Sequence, residues 1–203
     1  MIAIVDYDAG NLHSVCKGVE AVGLRARATA RPADLESADA VILPGVGAFP
    51  ACMARLEERG FVAPLLGYLR GGGPFLGVCL GLQLLFEWGE EGTGAAGLGF
   101  RPGRVVAVQA PGRKIPHMGW NAVALQRPSP LFEGIPSGEH FYFVHSFHAR
   151  PACPEDIVAT ADYGEPVTAA IGSGRVHAVQ FHPEKSSAAG LRLLANFGRL
   201  VAR

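Results

Sequence analysis

The sequence predicts an α/β fold: an open, mostly parallel (mixed) sheet with helices on both faces and antiparallel additions in its second half. Three observations carry that expectation. Continuous apolar runs recur early in the chain, at Ile2–Val5, Ala40–Leu43 and Phe75–Val78, as strands buried on both faces require. Stretches with apolar residues at helical spacing separate them, giving the order βαβαβαβα and a parallel sheet. Later the pattern changes to short strands divided by Pro/Gly turns.

The elements follow in order. Ile2–Val5 opens the chain as a strand, and Asp6–Asn11 is a polar loop at its end. Leu12–Val22 carries Leu12, Val15, Cys16, Val19 and Val22 on one helical face. Leu24–Ala28 and Ala40–Leu43 are the next strands, the latter running into Pro44-Gly45-Val46-Gly47. Helices are expected over Pro50–Glu58 and Val62–Arg70, with Gly71-Gly72-Gly73 as a helix stop before strand Phe75–Val78. A helical run from Leu80 to Trp88 is expected next. Strands are then read at Arg104–Ala110, Val123–Leu125, Phe141–Val144, Ile157–Ala161, Val167–Ile171 and Val176–Gln180. Ser187–Val201 closes the chain as a helix with Leu191, Leu194, Phe197, Leu200 and Val201 on one side. No repeat or linker divides the 203 residues, so one domain over 1–203 is expected.

Composition narrows the function. Hydrophobic residues make up 49% and charged residues 18%, enough for a sizeable core and too apolar for disorder. Eighteen basic residues balance eighteen acidic ones, so no net basic field exists to hold nucleic acid. No apolar run has the length of a membrane span, and the N-terminus reads as a strand rather than a signal peptide. The four cysteines, at 16, 52, 79 and 153, match no zinc spacing. A cytoplasmic setting with free thiols is expected. Cys16, Cys52 and Cys153 are read as small core residues, and His117, His140, His145 and His177 as surface or hydrogen-bonded core residues.

Cys79 stands apart. Gly77-Val78-Cys79-Leu80-Gly81 is a G-x-C-x-G nucleophile elbow between a strand and a helix. Side chains at the two glycines would collide with the neighbouring elements. The turn pushes Sγ out of the sheet and seats it at a helix N-terminus, which favours thiolate. A thiol nucleophile needs a base, and the base an orienting group. Val179-Gln180-Phe181-His182-Pro183-Glu184 offers both. Pro183 holds His182 extended, so His182 and Glu184 project together and the carboxylate fixes the imidazole tautomer. Acyl transfer also needs an oxyanion hole. The Leu80 N–H is one donor, and the glycine-rich segment supplies the second at Gly45 or Val46. Gln83 lies one helical turn beyond Cys79 and is expected at the pocket mouth.

These residues resemble the class I (triad) glutamine amidotransferases. The elbow with Gln83, the oxyanion segment Pro44-Gly45 and the late His182-Pro183-Glu184 match that family's three motifs in order, over essentially the whole chain. The resemblance implies a flavodoxin-like glutamine amidotransferase fold and a Cys79–His182–Glu184 triad that hydrolyses L-glutamine through a glutamyl thioester. It implies recognition of the amino-acid end of glutamine by Gln83 and by the backbone at Ser146 and Phe147. No metal and no organic cofactor is required. Within the family, Asp6-Tyr7-Asp8-Ala9-Gly10-Asn11-Leu12, Leu43-Pro44-Gly45-Val46-Gly47-Ala48-Phe49, Pro116-His117-Met118-Gly119-Trp120-Asn121 and His182-Pro183-Glu184-Lys185-Ser186 are similar to the glutaminase subunits of imidazole glycerol phosphate synthase. That likeness implies a (β/α)₈ cyclase partner, which receives the ammonia and makes imidazole glycerol phosphate and AICAR in histidine biosynthesis. It also implies a partner face including Met118, Trp120, Asn121, Tyr142 and Lys185. A stand-alone cysteine hydrolase or peptidase of similar fold, or a glutaminase subunit of another amidotransferase, is the alternative.

Overall fold

The computed structural model describes residues 1–201. Among these residues, thirteen strands form two sheets. The larger sheet is built from β1 (Ile2–Val5), β2 (Ala26–Thr29), β3 (Ala40–Leu43), β4 (Phe75–Val78), β8 (His117–Leu125), β9 (Glu139–His145), β11 (Ile157–Asp162), β12 (Pro166–Ser173) and β13 (Val176–Val179), in the order β2-β1-β3-β4-β13-β12-β11-β8-β9. The first five of these run parallel, and every later pairing is antiparallel. The smaller sheet, β10-β7-β5-β6, is made of β5 (Phe86–Gly89), β6 (Ala95–Ala96), β7 (Arg101–Ala107) and β10 (Phe147–Pro151).

The parallel strands are apolar throughout because both faces are covered. Residues alternate between two cores. Ile2, Ile4, Ala40, Ile42, Leu76 and Val78 point into one, with Val15 and Val19 of α1 (Leu12–Ala21) and Leu193, Leu194 and Phe197 of α5 (Ser187–Val201). Ala3, Val5, Val41, Leu43 and Phe75 point into the other. They meet Cys52, Met53 and Leu56 of α2 (Phe49–Glu58) and Leu65 and Leu69 of α3 (Val62–Arg70).

Three expectations are corrected. The second strand starts at Ala26, two residues beyond Leu24, and a 3₁₀ helix over Pro32–Ser37 links it to β3. The helix after the elbow, α4, is one turn long, Leu80–Gln83, and Phe86–Gly89 is a strand. Leu84, Leu85 and Phe86 are buried on every side, so periodicity cannot separate helix from strand there. Their carbonyls are taken instead by the N–H groups of Leu98, Gly99, Phe100 and Arg101 on an incoming segment. The strand expected at Arg104–Ala110 lies three residues earlier, as β7, and the one expected at Val123–Leu125 is the end of a longer strand, β8, that starts at His117.

The sharp β4–α4 turn brings Gly81 onto Leu43 at the end of β3. A Cβ at Gly81 would overlap the Leu43 carbonyl oxygen, a backbone atom with nowhere to go. Gly81→Ala is therefore expected to cost about 3 kcal/mol of stability, read as a lowered urea midpoint.

Candidate active site

Three neighbouring parallel strands, β3, β4 and β13, deliver the chemistry to one edge of the sheet. Pro44 follows β3, Cys79 follows β4, and His182 lies just beyond β13. Val78 pairs with Val179, so the chains leave the sheet side by side. This is the carboxyl edge where open α/β sheets place their sites.

Cys79 has φ +53° and ψ −108°, a backbone state that non-glycine residues avoid and that stores strain. The turn is held by the Cys79 N–H donating to Val179 O at 2.8 Å and by the Leu82 N–H donating to Cys79 O at 3.0 Å. A side chain on Gly77 would stand 2.7 Å from Gly81 O. The one-turn α4 has few aligned peptides, so little of the expected helix dipole reaches the sulfur.

A positive charge is available beside the sulfur from His182. Its Nδ1 lies 2.8 Å from Glu184 Oε1, and the two side chains are 3% and 2% exposed. Burial opposes charging the ring, but the Cys79 sulfur and the Glu184 carboxylate more than offset it, raising the His182 pKa to about 10. The other ring nitrogen, Nε2, is buried and makes no hydrogen bond of good geometry. Backbone contacts fix the residue, with its N–H donating to Tyr142 O at 2.9 Å and the Ser186 hydroxyl donating to its carbonyl at 2.6 Å.

Cys79 and His182 open onto a cavity of ≈ 290 Å³, with Val46, Leu80, Gln83, Glu91, Val144, Ser146 and Phe147 among its walls. The segment expected to supply oxyanion donors turns a carbonyl toward the elbow. The Leu80 N–H donates to Gly45 O at 3.4 Å, so a carbonyl occupies the donor that an oxyanion would need. The flanking carbonyls are pinned: Tyr7 Oη donates to Pro44 O at 2.8 Å and Cys52 Sγ to Val46 O at 3.5 Å. Gly45 is buried, whereas Val46 is exposed and Gly47 has φ +102°.

Gln83 sits deeper than a pocket-mouth residue, at 3% exposure. Its Nε2 donates to Phe147 O at 2.8 Å and to Gln180 Oε1 at 3.0 Å. Gln180, fully buried, donates in turn to Cys79 Sγ at 3.7 Å. Sequence reasoning missed Gln180, although it stands two residues before His182 at the same strand end. It also missed Glu91, the acid on the cavity wall, whose Oε2 accepts the Phe49 N–H at 2.7 Å. Nothing in the local sequence around Glu91 marks it, because the loop that carries it reaches the site only through the second sheet.

The residues expected at a partner face lie beside the cavity. Met118 and Trp120 are 61% and 52% exposed and pair across the β8–β9 ladder with Val144 and Tyr142. Trp120 meets Tyr142 edge to face at 6.2 Å, and the Lys185 ammonium lies 5.9 Å from the Tyr142 ring centroid. Asn121 turns the other way, its Nδ2 bonding His117 Nε2 at 3.1 Å and Asp162 O at 2.8 Å. Of the other thiols, Cys52 is buried and Cys16 half-buried, but Cys153 is exposed rather than a core residue, because it precedes a surface 3₁₀ turn. Among the described residues no group of three or more His, Cys, Asp or Glu is placed to hold a metal ion, and no helix is long and apolar enough to cross a membrane.

Comparison with known proteins bears on this arrangement. Residues 3–200 match the family described as Glutamine amidotransferase class-I. The chain belongs to the class I glutamine amidotransferase family. Its amidotransferase fold is shared at TM-score 0.78 with a crystal structure of a glutamine amidotransferase, 20% identical and covering 100% of both chains. PurLQS from Thermotoga maritima shares it at TM-score 0.74 and 16% identity, over 99% of this chain and 96% of that one. Among curated amidotransferases, an imidazole glycerol phosphate synthase subunit HisH from Syntrophotalea carbinolica is 52% identical over 98% of this chain and 99% of the relative. The HisH subunit from Synechococcus elongatus is 54% identical over 99% and 94%.

Proposed function

We infer that this chain is the glutaminase subunit of an imidazole glycerol phosphate synthase, folded as a single domain, in which Cys79, His182 and Glu184 hydrolyse L-glutamine for a cyclase subunit. The observation that carries the chemistry is the delivery of a strained Cys79 and a Glu184-paired His182 to one cavity by adjacent parallel strands. The 52–54% identity to HisH subunits over nearly the full chain supports the choice of synthase.

The geometry performs the reaction in steps. The Cys79 thiolate attacks the carboxamide carbon of glutamine. The charge that develops on the oxygen is met by the N–H groups of Leu80 and Val46, once the Gly45–Val46 peptide rotates and Gly45 O leaves Leu80. Protonated His182 gives its proton to the departing ammonia, leaving a glutamyl thioester. Water, deprotonated by the now neutral ring, attacks the thioester, releases glutamate and restores the Cys79 thiolate and the protonated His182. The Glu91 carboxylate suits the α-ammonium of glutamine, and the Ser146–Phe147 backbone suits its carboxylate. Ammonia in bulk water protonates and diffuses away, so it is passed on directly, past Val144 toward the face formed by Met118, Trp120, Tyr142 and Lys185. A (β/α)₈ cyclase in the cytoplasm is the partner that reading calls for. Exposed Trp and Met beside a Tyr are what an interface core favours.

The test is glutamine hydrolysis by the purified chain, by its complex with the cyclase, and by the complex with the cyclase ligand. Hydrolysis is expected to be weak alone, because the hole is closed, and to rise by orders of magnitude with the liganded partner. Rapid turnover without the partner, or turnover of peptides, points to a stand-alone hydrolase instead.

His182 sets the pH dependence. Its raised pKa keeps the ring protonated through neutrality, so hydrolysis is expected to fall as pH rises through about 10. The same shift contributes stability that is fully present below the ordinary imidazole range and lost as pH rises through about 10. Glu184→Gln removes one of the groups that raise it, so its alkaline limb should move down toward the usual 6.5. His182→Ala should cost about 10³-fold in kcat, and Glu184→Gln less, because it removes orientation and charge rather than the proton carrier. The pH–rate profiles of both variants check this, and an unmoved limb in Glu184→Gln contradicts it.

A further inference from the structure

Two buried histidines that the reaction as described does not use adjoin the glutamine pocket, His145 in its wall and His117 one layer further back. His117 and His145 face each other across the β8–β9 ladder at 2% and 6% exposure. His117 Nδ1 is 2.8 Å from His145 Nε2, and His145 Nδ1 is 2.9 Å from Phe147 O. The His117 ring is stacked between Tyr163 and Phe143, with centroids 4.0 and 4.6 Å away. Neither ring can turn without breaking this packing.

Both ends of the chain of bonds demand the same proton order. Two backbone bonds orient the Asn121 amide: its Oδ1 accepts the Ala122 N–H at 2.8 Å and its Nδ2 donates to Asp162 O at 2.8 Å. Nδ2 is therefore the donor to His117 Nε2 at 3.1 Å, which must be an unprotonated acceptor. That leaves the His117 proton on Nδ1, donating to His145 Nε2. The His145 proton must then lie on its own Nδ1, where it meets Phe147 O, a carbonyl that only accepts. The two requirements agree with no proton missing or in excess. Burial supports the neutral state, holding His117 at about 4 and His145 at about 3.

The far end of this chain is the substrate wall. Phe147 O also accepts from Gln83, which reaches Cys79 Sγ through Gln180. We propose that His117 and His145 are positioning residues for glutamine. With their proton order set by Asn121, they hold the Ser146–Phe147 backbone at the geometry that receives the amino-acid end of the substrate. The inference rests on the reading of Ser146–Phe147 as the glutamine-recognising backbone. It goes beyond that reading by naming what holds the backbone in place. A carbonyl gripped from two sides by Gln83 and His145 leaves its neighbouring N–H groups fixed in direction. Losing the His145 grip frees the strand end where glutamine docks, while Cys79 keeps its own turn.

The experiment uses the complex of the full chain with its cyclase and compares His145→Ala, His117→Ala and His145→Gln with the wild type. KM for glutamine is expected to rise about tenfold or more in both alanine variants, with kcat changed by less than about threefold. His145→Gln, whose amide N–H retains a donor for Phe147 O, should recover part of the loss. Synthesis driven by added ammonia should stay at the wild-type level, as it reports folding and docking but not the glutamine site. Iodoacetamide, which needs no glutamine site, should label Cys79 at the wild-type rate. The double alanine variant should be no worse than the poorer single variant, as residues in one chain of bonds require. Imidazole ¹⁵N NMR of the full chain adds a readout independent of turnover, with both rings expected as neutral Nδ1–H tautomers. An unchanged KM, a loss confined to kcat, loss of ammonia-driven synthesis, multiplicative single effects, or an Nε2–H tautomer at either ring would each overturn the proposal. If the wild-type complex itself fails to hydrolyse glutamine, the functional reading fails instead, and the NMR result still decides the proton order.

Discussion

Cys79→Ala is expected to abolish glutamine hydrolysis by the complex, a fall of about 10⁴-fold or more, and to leave ammonia-driven synthesis intact. The split follows from where the residue sits. In the proposed mechanism Sγ is the one atom of the site that bonds to the substrate carbon, so nothing else would replace it. Its removal creates little disturbance, because the elbow is held by backbone bonds from Cys79 to Val179 and from Leu82 to Cys79, which alanine preserves. The φ of +53° is unfavourable for cysteine and alanine alike, so the variant carries the same strain. Added ammonia bypasses the glutaminase chemistry and tests only folding and docking. Both rates are measured on one preparation. Loss of both activities would make Cys79 structural, and retention of glutamine hydrolysis would remove it from the mechanism.

The second large effect concerns the oxyanion hole. With Gly45 O lying against the Leu80 N–H, the closed segment presents a carbonyl where a donor is required. Tyr7 and Cys52 grip the carbonyls on either side, so rotation is confined to the Gly45–Val46 peptide between them. In the proposed mechanism, rotation of that peptide would bring the Val46 N–H into the hole as Gly45 O turns away. Val46→Pro deletes this N–H without touching Cys79, His182 or Glu184. Glutamine hydrolysis by the liganded complex is expected to fall about 10²- to 10³-fold, the usual cost of one oxyanion donor. Iodoacetamide labelling of Cys79, which builds no oxyanion, is expected to proceed as in the wild type. The two measured rates separate a lost donor from a damaged nucleophile. Equal losses in both would show that Val46 serves the thiol rather than the transition state.

Much of the site was legible in the sequence because its parts are local. The elbow is a run of five residues in which glycine at both ends is forced by contact, Gly77 with the Gly81 carbonyl and Gly81 with Leu43. His182 and Glu184 meet at 2.8 Å as expected, but by another route: His182 alone is extended, and Glu184 sits in a 3₁₀ turn over Pro183–Lys185, so a turn rather than the two-residue period of extended chain sets the contact. The parallel half of the sheet was legible for a related reason, since β1, β3 and β4 are apolar without alternation and lie at the residues expected. Long-range features were not legible. The one-turn α4 ends where carbonyls are claimed by a segment a dozen and more positions later, which no local pattern reports. Gln180 and Glu91 join the site through side-chain contacts across the fold, and the closed state of Gly45 is a matter of one peptide orientation. Asn121 reads as a partner-facing residue beside Trp120, yet strand alternation sends its amide inward to His117. The alternation was available in the sequence, but the extent of β8 that makes it decisive was not.

The central claim is that Cys79 is the nucleophile toward glutamine, and the chain carries its own control. Cys79 is only 6% exposed, whereas the Cys153 thiol is exposed to solvent. The most direct measurement is mass spectrometry of the liganded complex after treatment with an electrophilic glutamine analogue. A single adduct on Cys79, suppressed by excess glutamine, with Cys153 unmodified, is the expected result. Labelling that follows exposure and falls on Cys153, or no adduct at all in the liganded complex, would contradict it.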